Sequence, residues 1–243
     1  MKGSVKNEKN VVGRIVCMDN LVVKLTDRCN GKCSFCIARD GRRSYSELNG
    51  PQMVKRIWGL GARNVLLLGG EPTLHPQFDL ICEGLYDCKV KTFVTTNGYA
   101  LFKFNRSLAK TLTGVNISLL SSDMDRHLDL TGVSICEKEL ASAIRNLRNE
   151  DVNVRINSML LTNGISTYTQ ARRMAAYARQ LGANEIRFSE VANHPELFVD
   201  VREIFSGEDF MTGIKTSVRK AKECRITGPV LYPDGYHSEE GWI

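Results

Sequence analysis

Six short runs rich in β-branched and apolar residues recur along this chain, each separated from the next by a longer helical pattern. That alternation narrows the fold more than any other feature. The runs are 21–26 (LVVKLT), 64–68 (NVLLL), 90–95 (VKTFVT), 115–120 (VNISLL), 152–160 (VNVRINSML) and 185–191 (EIRFSEV). Helical patterns fall near 51–60, 76–87, 105–112, 136–150 and 168–181. Asn49 stands where a cap would precede the first helix, Pro51 falls in its first turn and Gly61 just past its end. Ser134 and Glu137 have capping-box spacing before the fourth. Strands joined through helices make right-handed βαβ crossovers, hence a parallel sheet whose sites lie at the carboxyl ends of its strands. The expectation is an α/β chain of six such units over 21–192. A lead-in hairpin over 1–20 precedes them. The segment 193–243 is expected to be helical and polar, then an extended tail with a Pro-Asp-Gly turn at 233–235.

The carboxyl ends of those runs carry the residues that invite chemistry. After the first comes "TDRCNGKCSFC", with Cys29, Cys33 and Cys36 in a C-x-x-x-C-x-x-C pattern. Gly69, Gly70 and Glu71 follow the second run, and Thr96, Asn97 and Gly98 the third. Ser118 and Ser121 lie late in the fourth, Arg155 and Asn157 on the fifth, and Arg187 to Glu190 on the sixth. In a parallel sheet these converge on one rim.

Composition sets bounds. No apolar run is long enough to span a bilayer, and the first ten residues, MKGSVKNEKN, lack the apolar core of a secretory signal. A cytoplasmic chain with no membrane association is expected. In a reducing compartment clustered cysteines read as metal ligands, not disulfides. The net charge of +6 and an aromatic fraction of 7% give a nucleic-acid surface little support. Thiolates suit zinc or iron–sulfur clusters. A structural zinc site closes with four protein ligands, and the other cysteines (Cys17, Cys82, Cys88, Cys136 and Cys224) offer no second C-x-x-C. A cubane has four irons, so three cysteines leave one iron open to a ligand that is not protein.

C-x-x-x-C-x-aromatic-C with Phe35 as the aromatic, followed one βα unit later by "GGEP", resembles the radical S-adenosylmethionine (SAM) superfamily. The order "TDRCN", "LLLGGEPTLHP", "VTTNG", "VNISLLS", "VRIN" and "IRFSE" is similar to that of the GTP cyclase of molybdenum-cofactor biosynthesis and its relatives, over about residues 20 to 192. The resemblance implies a partial (β/α)6 barrel. It implies one 4Fe–4S cluster ligated by Cys29, Cys33 and Cys36, and SAM chelating the open iron. Reductive cleavage of SAM then gives a 5′-deoxyadenosyl radical that abstracts hydrogen from a substrate. By the same resemblance the backbone of Phe35 lies against adenine. Gly69, Gly70 and Glu71 hold the methionine end, Thr96, Asn97 and Ser118 lie near SAM, Asn157 reaches the ribose and Ala192 contacts adenine.

The departures from the cyclase matter. Val22 stands where the cyclase has an arginine, Arg155 where it has a lysine, and Cys224 is the one cysteine in the region of its second cluster. GTP cyclisation is therefore not the expectation. A small-molecule or peptide substrate and a redox-neutral outcome, epimerisation or rearrangement, are expected, with a flavodoxin- or ferredoxin-type reductant. Arg155 and Arg187 are candidates for an anionic substrate group, with ion pairs to Glu185 or Glu190 as the plain alternative. His127, read as lying on a loop after the fourth strand, is a candidate substrate contact. Cys136 or Cys224 could donate hydrogen to a substrate radical, His237 and Trp242 could close the barrel mouth, and Arg42 and Arg43 could meet the reductant. A glycyl-radical activase is the competing enzyme. A zinc- or nucleic-acid-binding module is the competitor of another kind.

Overall fold

A computed structural model describes residues 20–39, 43–44, 46–205, 213–223 and 228–241. The expected hairpin over 1–20, apart from Asn20, lies outside the described residues, as do Cys17, Arg42, Cys224 and Trp242. All six expected strands are present: β1 (Asn20–Lys24), β2 (Asn64–Leu68), β3 (Lys91–Thr96), β4 (Gly114–Ser118), β5 (Asn153–Leu160) and β6 (Glu185–Glu190). Each pairs in parallel with the next, in chain order. Such a sheet needs crossovers, and the helices supply them: α1 (Gly50–Gly59), α2 (Phe78–Asp87), α3 (Arg106–Ala109), α4 (Met124–Thr131), α5 (Glu137–Asn149) and α6 (Tyr168–Gln180).

Side chains alternate across a strand, and here the alternation divides the molecule. Val65 and Leu67 of β2, Val115 and Ile117 of β4, Val154 and Ile156 of β5, and Ile186 and Phe188 of β6 are fully buried in the main core. That core also takes Met53 and Ile57 of α1, Ile81 and Leu85 of α2, Leu140 and Ile144 of α5, and Met174 of α6. The intervening residues face the other way and line one cavity: Val22, Leu66, Leu68, Thr95, Asn116, Ser118, Arg155, Asn157, Arg187 and Ser189.

The C-terminal segment departs from its expected helical character. It contributes α7 (Val201–Phe205) but also β7 (Lys215–Arg219), which pairs in parallel with β6. Its last part, β8 (Val230–Leu231) and β9 (His237–Ser238), forms an antiparallel pair beside β1 around the expected turn. The segment therefore extends both edges of the sheet, giving the order β7-β6-β5-β4-β3-β2-β1-β8-β9. No pairing among the described residues joins β7 to β9, so the barrel is partial. His237 pairs with Leu231 at that edge and is not a cavity residue, which corrects its reading as a lid.

Three helix expectations are also corrected. The helix at 105–112 shrinks to α3, because the Thr111 hydroxyl donates to the Leu108 carbonyl at 2.8 Å and so competes with helix extension. Ser134 is not the cap of α5. The N-cap position is Cys136, so Ser134 sits two residues outside it. The stretch read as a loop after β4 is α4, capped by Asp123, whose carboxylate accepts from the amides of Asp125 and Arg126, and stopped by Gly132 at φ +68°.

The cap of α1 is as expected. Asn49 Oδ1 accepts from Gln52 N at 3.0 Å, and Gln52 Oε1 accepts from Asn49 N at 3.1 Å. Asn49→Ala should lower stability by about 1 kcal/mol, seen in urea as a lower midpoint with an unchanged slope.

Candidate functional site

The cysteine loop leaves β1 through Thr26, Asp27 and Arg28, and each has a partner that fixes its path. The Thr26 hydroxyl donates to Glu47 and accepts from Arg28 N at 3.1 Å. Asp27 pairs with buried Lys24 and accepts from Ser44 N at 2.7 Å. Arg28 bonds Glu47 Oε2 at 2.6 Å. Beyond them Cys29 is exposed, and Cys33 and Cys36 are half-buried. Two of the three thiols have raised pKa values. Cys33 is pushed up to about 11, first by burial and then by Cys36 and Cys29. Cys29 is raised by burial in the first place, with contributions from Cys36 and Glu71. No group of three or more His, Cys, Asp or Glu among the described residues is drawn together tightly enough for a single metal ion. Three soft sulfur donors on one loop, with the charges of Cys29 and Cys36 acting on Cys33, suit an iron–sulfur cluster.

Gly69 and Gly70 have a packing role in the fold. A Cβ on Gly69 would lie 2.5 Å from Thr26 O, and one on Gly70 2.3 Å from Arg28 O. Their bareness lets the loop after β2 press against the cysteine loop, with Gly70 N and Glu71 N donating to Thr26 O and Arg28 O, both at 2.8 Å.

Glu71 is wholly buried. Its Oε1 accepts from Thr73 N, Thr73 Oγ1 and Thr96 Oγ1 at 3.2, 2.6 and 2.8 Å, and its Oε2 from Asn97 N at 2.6 Å. Burial nevertheless raises its pKa. Thr96 also accepts from Gly98 N at 3.1 Å. Asn97 bonds Asn30 Oδ1 at 2.9 Å, and its amide nitrogen lies 3.9 Å from Cys29 Sγ. His75 shapes the same loop, its Nε2 at 3.1 Å from Leu48 O.

These loops rim a cavity of about 520 Å3. Most of the candidates named from the sequence are on its wall: Cys29, Cys33, Phe35, Cys36, Gly69, Gly70, Glu71, Thr96, Asn97, Ser118, His127, Arg155, Asn157, Arg187 and Ala192. His127 is there as part of α4, not of a loop. It is buried, its Nδ1 accepts from Leu120 N at 3.2 Å, and burial pushes its pKa down to about 4, so it stays neutral. Phe35 packs beside Leu120, Leu130, Leu161 and Val191 in an apolar cluster of its own, with Met159 and Leu197. Cys136 is exposed and does not line the cavity. Sequence reasoning missed Arg219, Asn116 and the leucine pair Leu66 and Leu68. Strand alternation marked the last three. Arg219 sits on β7, whose five residues carry too weak a pattern to stand out.

The family model described as the radical SAM superfamily matches residues 23–175. A probable GTP 3′,8-cyclase of Pyrobaculum aerophilum is 30% identical over 168 residues, 65% of this chain and 53% of that protein. The chain thus spans about half the length of the curated relatives it matches. Among solved structures, a radical SAM methyltransferase from Sphaerobacter thermophilus superposes with a TM-score of 0.64 at 19% identity, covering 82% of this chain and 65% of its own. Streptococcus suis SuiB bound to precursor peptide SuiA gives 0.62 at 17%, covering 83% and 49%. At such identities the likeness is one of fold. No helix among the described residues is long and apolar enough to cross a membrane.

Two outcomes follow from this geometry. Glu71→Gln turns an acceptor-only group into one with an N–H₂ facing N–H and O–H donors, and should cost roughly 1–3 kcal/mol in chemical unfolding. In the metal-free reduced protein at pH 8, iodoacetamide should label Cys33 more slowly than exposed Cys88, with a rate rising about tenfold per pH unit toward pH 11.

Proposed function

The chain belongs to the radical SAM superfamily, and we propose that Cys29, Cys33 and Cys36 hold its 4Fe–4S cluster while the adjoining cavity receives SAM and a substrate. The observation that carries this reading is the meeting of the thiol triad with the loops after β2 and β3 at the mouth of that one cavity. When bound, the cluster and SAM supply one-electron cleavage and hydrogen-atom abstraction.

The protein's own residues do the rest. Glu71 is a positioning residue. By holding Thr96 and Asn97 it fixes the wall against which the methionine end would rest. The Gly31 amide, 3.3 Å from Cys29 Sγ, and the Asn97 amide point donors at that sulfur, which favours its thiolate form. Phe35, Leu120, Met159 and Ala192 offer an apolar wall for a flat ring, and Ser118 and Asn157 offer a hydroxyl and an amide for ribose oxygens.

A redox-neutral reaction on a small molecule or peptide, driven by a flavodoxin- or ferredoxin-type reductant, is the finer part of this proposal. It is supported by the lack of any second close set of cysteines within this sequence. The test is anaerobic reconstitution with iron and sulfide, then SAM and dithionite. About four irons per chain and release of 5′-deoxyadenosine are expected, with release falling at least ~100-fold in Cys33→Ala. Failure to bind iron, or a Cys33→Ala protein that behaves like its parent, sinks the reading.

A further inference from the structure

The wall of the cavity is uneven in charge. Among the described residues of that wall, the formally charged ones are two glutamates and three arginines: Glu71, Glu190, Arg155, Arg187 and Arg219. Both glutamates are engaged by the protein. Glu71 is held as described, and Glu190 accepts from Val201 N at 2.9 Å and Ala221 N at 2.7 Å. Glu185, which the sequence offered as a partner for Arg155 or Arg187, is bonded instead to Lys215 at 3.3 Å and Asn153 at 3.2 Å.

The arginines form a ladder. Asn157 of β5 is level with Arg187 of β6, and Ser189 of β6 is level with Arg219 of β7. Each arginine therefore sits two residues further along its strand than the one before, on the same face. With strands about 4.8 Å apart and a rise of about 3.3 Å per residue, neighbouring Cα atoms in the ladder are roughly 8 Å apart. That is within the reach of guanidinium side chains. Each Nε donates to a protein acceptor: Arg155 to Asn157 Oδ1 at 3.1 Å, Arg187 to Ser217 Oγ at 3.4 Å, and Arg219 to Glu223 O at 2.7 Å. Those bonds orient the planar forks. Gathering three like charges is unfavourable. The Arg155 pKa is lowered by burial first, then by Arg187 and Arg219, with Glu185 opposing.

We infer that Arg155, Arg187 and Arg219 form an oxyanion-binding ladder for a substrate bearing two or more negative charges, as phosphate or carboxylate groups. This rests on the reading of the cavity as a reaction chamber and supplies its substrate class. A multiply charged oxyanion offsets the repulsion among the forks and matches their bidentate geometry, which an ammonium donor in place of a guanidinium does not. Arg219 is the residue that the sequence did not suggest.

The test is calorimetric titration of the cluster-loaded protein with inorganic phosphate, pyrophosphate and citrate, with SAM titrated separately. Pyrophosphate or citrate should bind at least about tenfold more tightly than phosphate, and Arg155→Gln, Arg187→Gln and Arg219→Gln should each weaken that binding about tenfold. Arg219→Lys should recover only part of the loss. Arg172→Gln, at an exposed arginine of α6, should change nothing. Preference for pyrophosphate assigns a phosphate-bearing substrate, and preference for citrate a polycarboxylate. The inference is overturned if neither probe binds at millimolar concentration, if the three ladder variants bind like the parent, or if Arg172→Gln loses as much as they do. Loss of SAM binding alone, with anion binding intact, overturns the cofactor assignment and leaves the ladder standing.

Discussion

The arrangement depends on one buried carboxylate. Removing Glu71 from water would cost several kcal/mol were it left unpaired. Four N–H and O–H donors from Thr73, Thr96 and Asn97 offset that cost. Its raised pKa shows that they do not cancel it. The loop after β2 is thereby fixed to the end of β3. On its other side the same loop is fixed to the cysteine loop, because Gly69 and Gly70 leave no side chain between the two backbones. Three consecutive carboxyl-end loops thus hold one register, and the thiols inherit their positions from it. "GGEP" is first a brace, and any contact it makes to a ligand follows from being braced.

Much of this was legible in the sequence, and the limits have physical causes. The six strands were visible because each is buried on one face by helices and on the other lines a cavity, so apolar and β-branched residues persist along it. Arg155, Asn157 and Arg187 could be assigned inward because the side-chain period of a strand is two. Helix α4 was missed although Asp123 and Gly132 mark both its ends. With eight residues and a polar surface, its periodicity is weak. Strand β7 was missed for a related reason. It lies at an edge, its residues are exposed or half-buried, and burial is what writes a strand's pattern into a sequence. The packing role of the glycines was not legible. Sequence shows that a side chain is missing, but not which neighbour needs the space.

Two cavity candidates, Glu71 and His127, changed character because the fold had already used all or part of their polar capacity. Glu71 spends its carboxylate on the rim. His127 spends Nδ1 on the Leu120 amide and is too deeply buried to charge near neutral pH, which leaves its buried Nε2 without a protein partner. Residue type and strand position could place both on the cavity wall, but only the hydrogen bonds show what capacity remains.

What remains on the wall is sorted by strand. Val22 of β1 and Leu66 and Leu68 of β2 make one flank apolar, whereas β5, β6 and β7 each contribute an arginine to the other. The thiols belong to the loop after β1, on the apolar side. A ligand with an anionic end has one favourable orientation in such a chamber. Its charges lie on the ladder, and its uncharged part extends across β4 toward the thiols. Reversing it would desolvate the anion against Val22, Leu66 and Leu68 with no donor in return, and would leave the guanidiniums to repel one another. Val22 on β1 and Arg219 on β7 thus act together in setting that orientation. Positive charge is absent where it would misorient the substrate and present where the sheet has been extended to hold it.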